Sequence, residues 1–157
     1  MNPNWFAAGS LVRVNEYEFD DDGTRRDKYM VVLYSDMHKA LIIDCLTTSK
    51  AKGVQHLNPG CSIHNGRFPY FVFPAKQIIG EANFYFELDT FIFFKDNVRL
   101  EPISKFNKQV SLSIFGLVKL DELSKENLKR LIKCALKSRF IPMEIAGILE
   151  AFKSSLS

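Results

Sequence analysis

Three histidines (His38, His56 and His64), three cysteines (Cys45, Cys61 and Cys134) and the run Asp20-Asp21-Asp22-Gly23 carry the residue types used for metal or nucleophilic chemistry. Their spacing argues against such sites. No histidine has a partner four residues on, and no His-Glu-x-x-His helix is present, so a zinc site would need long-range convergence. The cysteines are odd in number and have no paired spacing, which indicates neither a disulfide framework nor a Cys-rich zinc site. The aspartate run lacks the spaced carboxylates and closing glutamate of a calcium loop. There is no phosphate-binding glycine loop and no nucleophile elbow. No metal or cofactor is expected. What remains is cationic: Arg25, Arg26 and Lys28 stand together just before an apolar run. Guanidinium forks and an ammonium point charge in one place suit phosphate oxygens.

At 157 residues, with 46 % apolar and 25 % charged types, the composition is that of one ordinary globular domain. The net charge of +3 is too small to announce a nucleic-acid binder by itself. It is unevenly placed: residues 1–100 balance at −1 (11 basic, 12 acidic) and residues 101–157 at +4 (10 basic, 6 acidic). The simplest reading of that basic end is a Lys-rich solvated helix face. No basic leader precedes an apolar core, and no apolar run approaches a membrane span, so a protein without a membrane segment in a reducing cytoplasm is expected.

Fourteen Phe and five Tyr favour strands, because flat side chains suit a pleated, half-buried surface. Residues 10–19 alternate with period two and predict a first strand, followed by a polar, exposed loop over residues 20–27. Residues 28–34 and 40–46 predict two apolar strands, the latter leaving through Thr47-Thr48-Ser49. Residues 50–65 read as loop, with turn signals at Asn58-Pro59-Gly60 and Asn65-Gly66. Residues 68–73, 77–79, 82–86 and 90–94 read as strands or hairpin arms, the first pushed to an edge or bulge by Pro69 and Pro74. Residues 110–114 form a short alternating segment. From Ser124, an N-cap residue, the period changes: helices are predicted over about 125–138 and 142–154. The meander of neighbouring strands points to a small barrel or SH3-like roll. We therefore expect one domain: a barrel over 9–120, an inserted hairpin region over about 50–87, and C-terminal helices over 121–157.

The order of these pieces resembles the MazF/PemK family of toxin ribonucleases. The resemblance is carried by Gly9-Ser10-Leu11-Val12, by Lys28-Tyr29-Met30-Val31-Val32, and by Ile42-Ile43-Asp44-Cys45-Leu46-Thr47-Thr48. It continues in the stretch Thr90 to Arg99, similar to the family's fourth core strand and the segment after it, and in Gly116 to Leu120 with Ser124-Lys125-Glu126, similar to its short strand and following helix. It covers roughly residues 9–49 and 88–137. Lys28 stands where an arginine is usual and Ser10 where an acid is usual, and residues 50–87 and the last helix exceed the pattern.

The resemblance implies an SH3-like barrel with C-terminal helices and a metal-independent endoribonuclease acting on single-stranded RNA. It also implies a homodimer and an antitoxin protein lying along the groove that takes RNA. Such cleavage needs a base for the 2′-hydroxyl, charge stabilisation on phosphorus and a proton for the leaving 5′-oxygen. Lys28, with Arg25 or Arg26, would supply the cation. Thr47 corresponds to the hydroxyl set against the phosphate, with Thr48 beside it, and Asp96 corresponds to an acid–base carboxylate, with Arg99 close by on the RNA path. His64 is a candidate base on a loop the pattern does not cover. Exposed aromatics such as Phe68, Tyr70, Phe71, Phe84 and Tyr85 also allow base stacking, with core or subunit interface as the plainer account. The alternative function is a non-catalytic SH3-like domain binding a protein or nucleic acid through the same groove.

Overall fold

The run Met30-Val31-Val32-Leu33 is fully buried, each residue at 0 % exposure, because its strand is covered on both faces. In the computed structural model, which describes residues 3–18, 23–54, 58–112 and 116–156, that strand is β2 (Arg25–Asp36). It lies between β1 (Ser10–Glu18) and β3 (Leu41–Leu46), antiparallel to both. Two later strands complete the sheet: β7 (Val98–Pro102) on β3 and β8 (Leu117–Glu122) on β1, in the order β7-β3-β2-β1-β8. A second antiparallel sheet has the order β4-β5-β6, from Gly60–His64, Phe68–Phe73 and Thr90–Phe93. The protein is therefore mainly β with C-terminal helices, as the sequence predicts. The two sheets do not close into a barrel.

The main core lies between the sheets and beneath the helices. Val31, Leu33, Ile43 and Cys45 of the first sheet meet Phe71, Phe73, Ile92 and Phe94 from the second sheet and its exit. Helix α2 (Lys125–Ala135) closes this core with Leu128, Leu131, Ile132 and Ala135, and α3 (Met143–Ser155) adds Ile145 and Leu149. The predicted N-cap is present: Asn127 N donates to Ser124 Oγ at 3.1 Å.

A smaller core lies on the other face of the five-stranded sheet, where Val12, Met30, Val32 and Ile42 meet Phe6 and Phe106. It also encloses acids. Asp44 is fully buried and receives no hydrogen bond, while Glu101 accepts from Tyr17 Oη at 3.2 Å and from Lys105 Nζ. Burial first, then the Glu101 carboxyl, raises the pKa of Asp44 well above the carboxylate range. Both effects favour the protonated form of Asp44, whose proton can serve Glu101 Oε2, a buried acceptor with no other partner among the described residues. Burial alone would lower Lys105, but its bonds to Glu101 and Tyr17 outweigh that and hold it charged.

Several expectations are corrected. Residues 60–64, read as loop, form β4, and the Asn65-Gly66 signal is the turn that joins it to β5, with Arg67 N donating to His64 O at 2.9 Å. The supposed insertion thus supplies two strands of the second sheet. Strand β5 is central, not an edge; Pro69 is tolerated near its start, where its carbonyl accepts from Phe94 N at 2.9 Å. Residues 77–79 and 82–86 are not strands but an irregular segment bonded to β8 and to itself. Residues 98–102, to which the sequence pattern assigns no strand, form β7, which pairs with β3. Residues 107–112 form helix α1, not the alternating segment predicted over 110–114. Ile103, Phe106 and Gln109 are its buried side with the preceding turn, a spacing of three. Residues 113–115 lie outside the described residues, as do residue 19 of the predicted first strand and residues 20–22 of the predicted 20–27 loop, whose Arg25 to Asp27 belong to β2.

The cysteine reading is also corrected. Cys61 on β4 and Cys134 on α2 form a disulfide with a Cα–Cα separation of 5.6 Å across 73 residues of sequence. Cys45 is the free thiol, buried in the core, where burial raises its pKa well above the usual value. Among the described residues no helix is long and apolar enough to cross a membrane.

Candidate functional site

The exit of β3 stitches the two sheets together. Thr48 pairs with Phe91 of β6 through bonds of 2.9 and 2.8 Å, so residues 47–50 run across the corner where the sheets meet. A cleft opens on each side of that segment, and Arg26, Lys28, Thr47, Thr48 and Lys50 line both.

On one side the cleft has a volume of about 370 Å³ and is strongly cationic: Arg26, Lys28, Lys50, Lys52 and Arg99 face a single carboxylate, Asp96. Asn97 closes its floor. The Asn97 Nδ2 donates to Leu46 O at 3.1 Å, tying the turn after β6 to the end of β3, and its Oδ1 is buried without a partner. Lys28 is half-buried, and its pKa is lowered by that burial first and then by Arg26, Lys52 and Lys50. A group of cations kept this close stores repulsion that a bound anion would relieve.

On the other side the cleft has a volume of about 540 Å³ and is walled by residues 84–88 opposite Tyr29. Tyr29 and Tyr85 are each 41 % exposed and Leu88 64 %. The wall is firmly held. Asp121 accepts from Ala82 N and Phe84 N, all at 3.0 Å, Lys76 N donates to Phe86 O at 2.7 Å, and Asp89 accepts from Ala75 N at 2.8 Å. Tyr29 meets the Phe86 ring edge-on at 5.7 Å.

The structure thus brings six of the residues named from sequence to one place: Arg26, Lys28, Thr47, Thr48, Asp96 and Arg99. Arg25 belongs to β2, but its side chain lies outside the described residues. His64 does not line the cleft; it packs on Phe68 and Tyr70, with the Phe93 ring at 6.3 Å as its link to the cationic side. The two threonines differ. Thr47 is nearly buried and donates its hydroxyl to Tyr29 O at 3.3 Å, while Thr48 Oγ1 accepts from Lys50 N at 3.1 Å and keeps its proton for a ligand.

Sequence reasoning missed Lys50 and Lys52, which it placed in an anonymous loop, although Lys-Ala-Lys directly after Thr-Thr-Ser was the available signal. It missed Tyr29, Glu87 and Leu88 as well, because the wall depends on long-range bonds to Asp121. Phe71 and Tyr70, offered as stacking platforms, are buried at 2 and 5 % exposure, whereas Tyr85 does line the cleft. Among the described residues no group of three His, Cys, Asp or Glu could hold a metal ion. No protein-family model, no curated protein and no solved structure matches this chain.

Proposed function

We propose that the cleft binds the backbone of single-stranded RNA and cleaves it without a metal ion. The observation that carries this reading is the set of five cations, Arg26, Lys28, Lys50, Lys52 and Arg99, around one concavity with Asp96 as its carboxylate. Asp96 takes the proton of the 2′-hydroxyl as its oxygen attacks phosphorus. The O2′–P bond forms, the P–O5′ bond breaks, and the Lys28 ammonium, made more acidic by its surroundings, protonates the departing 5′-oxygen. Arg26 and the Thr48 hydroxyl stabilise charge on the non-bridging oxygens. The products carry a 2′,3′-cyclic phosphate and a 5′-hydroxyl. A role as the toxin of a toxin–antitoxin pair, with a homodimer and an antitoxin as partners, is supported by the ordered resemblance of the strand motifs alone.

The test is incubation with a mixed-sequence single-stranded RNA in excess EDTA. Wild type cleaves, Lys28→Ala neither binds tightly nor cleaves, and Asp96→Asn binds without cleaving. Intact RNA with tight, salt-sensitive binding would instead select the second reading, a non-catalytic binding module. That reading draws on the Thr47 hydroxyl, which is already bonded to Tyr29 O.

A further inference from the structure

We propose that the side of the cleft walled by Tyr85 and Tyr29 is a nucleobase subsite that selects guanine through the Glu87 carboxylate. The inference rests on the RNA reading of the cationic side and goes beyond it by naming the base that sits next to the bound phosphate.

Three observations carry it. First, the two sides are continuous: Lys28, Thr48 and Lys50 line both, so a ligand whose phosphate meets those cations has its next group directed along the aromatic wall. A nucleotide is the ligand class that joins a phosphate to a flat aromatic group at short, fixed range. Second, Tyr29 and Tyr85 leave two-fifths of their surface open at this wall, and the Tyr85 hydroxyl has no bonding partner among the described residues. Every base presents a π-face that such rings can take up. Third, two carboxylates, Asp27 and Glu87, are among the polar groups on this side. Asp27 accepts from Glu16 N at 2.9 Å, which leaves Glu87 as the more available acceptor. Guanine alone offers two adjacent donors, N1–H and the N2 amino group, to the two oxygens of one carboxylate. Adenine and cytosine set an acceptor beside their amino group, and uracil flanks its single N–H with two carbonyls, so each repels one carboxylate oxygen. The wall is preorganised by the Asp121 bonds, so little ordering is lost when a base enters.

The experiment is equilibrium binding of end-labelled 2′-O-methyl oligonucleotides, which cannot be cleaved because the attacking oxygen is blocked. The probes are an all-uridine chain and the same chain with one central guanosine, adenosine or cytidine, measured by fluorescence anisotropy. We expect the guanosine chain to bind about tenfold more tightly than the others, a difference of about 1.4 kcal/mol. Glu87→Gln removes that preference, so that the guanosine chain binds no more tightly than the all-uridine chain. Tyr85→Ala weakens all chains by about tenfold, and its surface position leaves the fold intact, as circular dichroism would check. Salt-sensitive binding with no base preference overturns the subsite and leaves the RNA reading standing. A guanine preference that survives Glu87→Gln overturns the selection by that carboxylate. No binding of any chain overturns both.

Discussion

The Thr47 amide and the Thr47 hydroxyl both end on one acceptor, the Tyr29 carbonyl, at 3.0 and 3.3 Å. Thr47 therefore holds the exit of β3 against β2, and its neighbour Thr48 is left to meet a ligand. Thr48→Val is expected to weaken RNA binding about tenfold, the effect of one lost hydrogen bond to a charged oxygen. Thr47→Val, nearly isosteric, is expected to leave the Kd within about twofold and to cost less than about 1 kcal/mol of stability, because the amide still serves Tyr29 O. Anisotropy titrations and urea unfolding of both variants distinguish the roles.

Lys28 gives the site a pH dependence of definite sign. Its folded pKa lies below 10.5, owing to burial and then to Arg26, Lys52 and Lys50. Phosphate binding favours the ammonium, so the affinity for RNA falls as the pH rises through the lowered value, at a pH where an ordinary lysine is still charged, and binding takes up a proton. In the free protein the sign is opposite for stability: the crowded charge opposes folding at low pH, and stability is gained as the pH rises from the lowered value towards 10.5. Lys28→Arg stays charged and should flatten the binding profile over the same range. A Kd series from pH 7 to 10 measures both; a wild-type profile no steeper than that of Lys28→Arg contradicts the assignment.

Gly80 and Asp121 are matched to each other. A Cβ on Gly80 would stand 2.0 Å from Asp121 Oδ2, and that carboxylate is what holds Ala82 and Phe84. Gly80→Ala is expected to cost about 1–3 kcal/mol through overpacking. Asp121→Ala is expected to cost a similar amount, about 1–3 kcal/mol, through lost bonds to backbone amides. In both, hydrogen exchange at Ala82 and Phe84 should accelerate ahead of exchange in β2, which reports the loosening of the wall.

Asp44, under the other face of the sheet, makes stability fall with rising pH. The folded pKa of Asp44 lies above its ordinary value near 3.8, so its contribution is full below that value and is lost as the pH rises through the raised folded one. Asp44→Asn keeps a neutral group there and should raise Tm relative to wild type by about 3 °C or more at pH 7, with the gap closing towards pH 4. Equal shifts at both pH values would contradict a protonated Asp44.

What was legible in the sequence was what local pattern determines. The apolar run at Met30–Leu33 predicts a strand, and the Ser124 cap with its period of 3.6 predicts the opening of a helix; both are present. Short segments whose state depends on distant partners were not legible. Gly60–His64 is a strand because β5 pairs with it, and residues 107–112 are helical because Phe106 and Gln109 must be buried against the sheet. The Cys61–Cys134 bond joins a strand to a helix that approach only in the fold, so no spacing could reveal it. The site divides in the same way. Lys28, Thr47 and Thr48 lie on neighbouring strand ends and were found by motif order, whereas Lys50, Lys52 and the wall around Tyr85 reach the cleft through a turn and through Asp121.

The most direct measurement is end-group analysis of a single-stranded RNA incubated with the purified protein in excess EDTA. The account predicts discrete fragments ending in a 2′,3′-cyclic phosphate and beginning with a 5′-hydroxyl, absent with Lys28→Ala and with Asp96→Asn. RNA that stays intact in the presence of folded wild-type protein would contradict it.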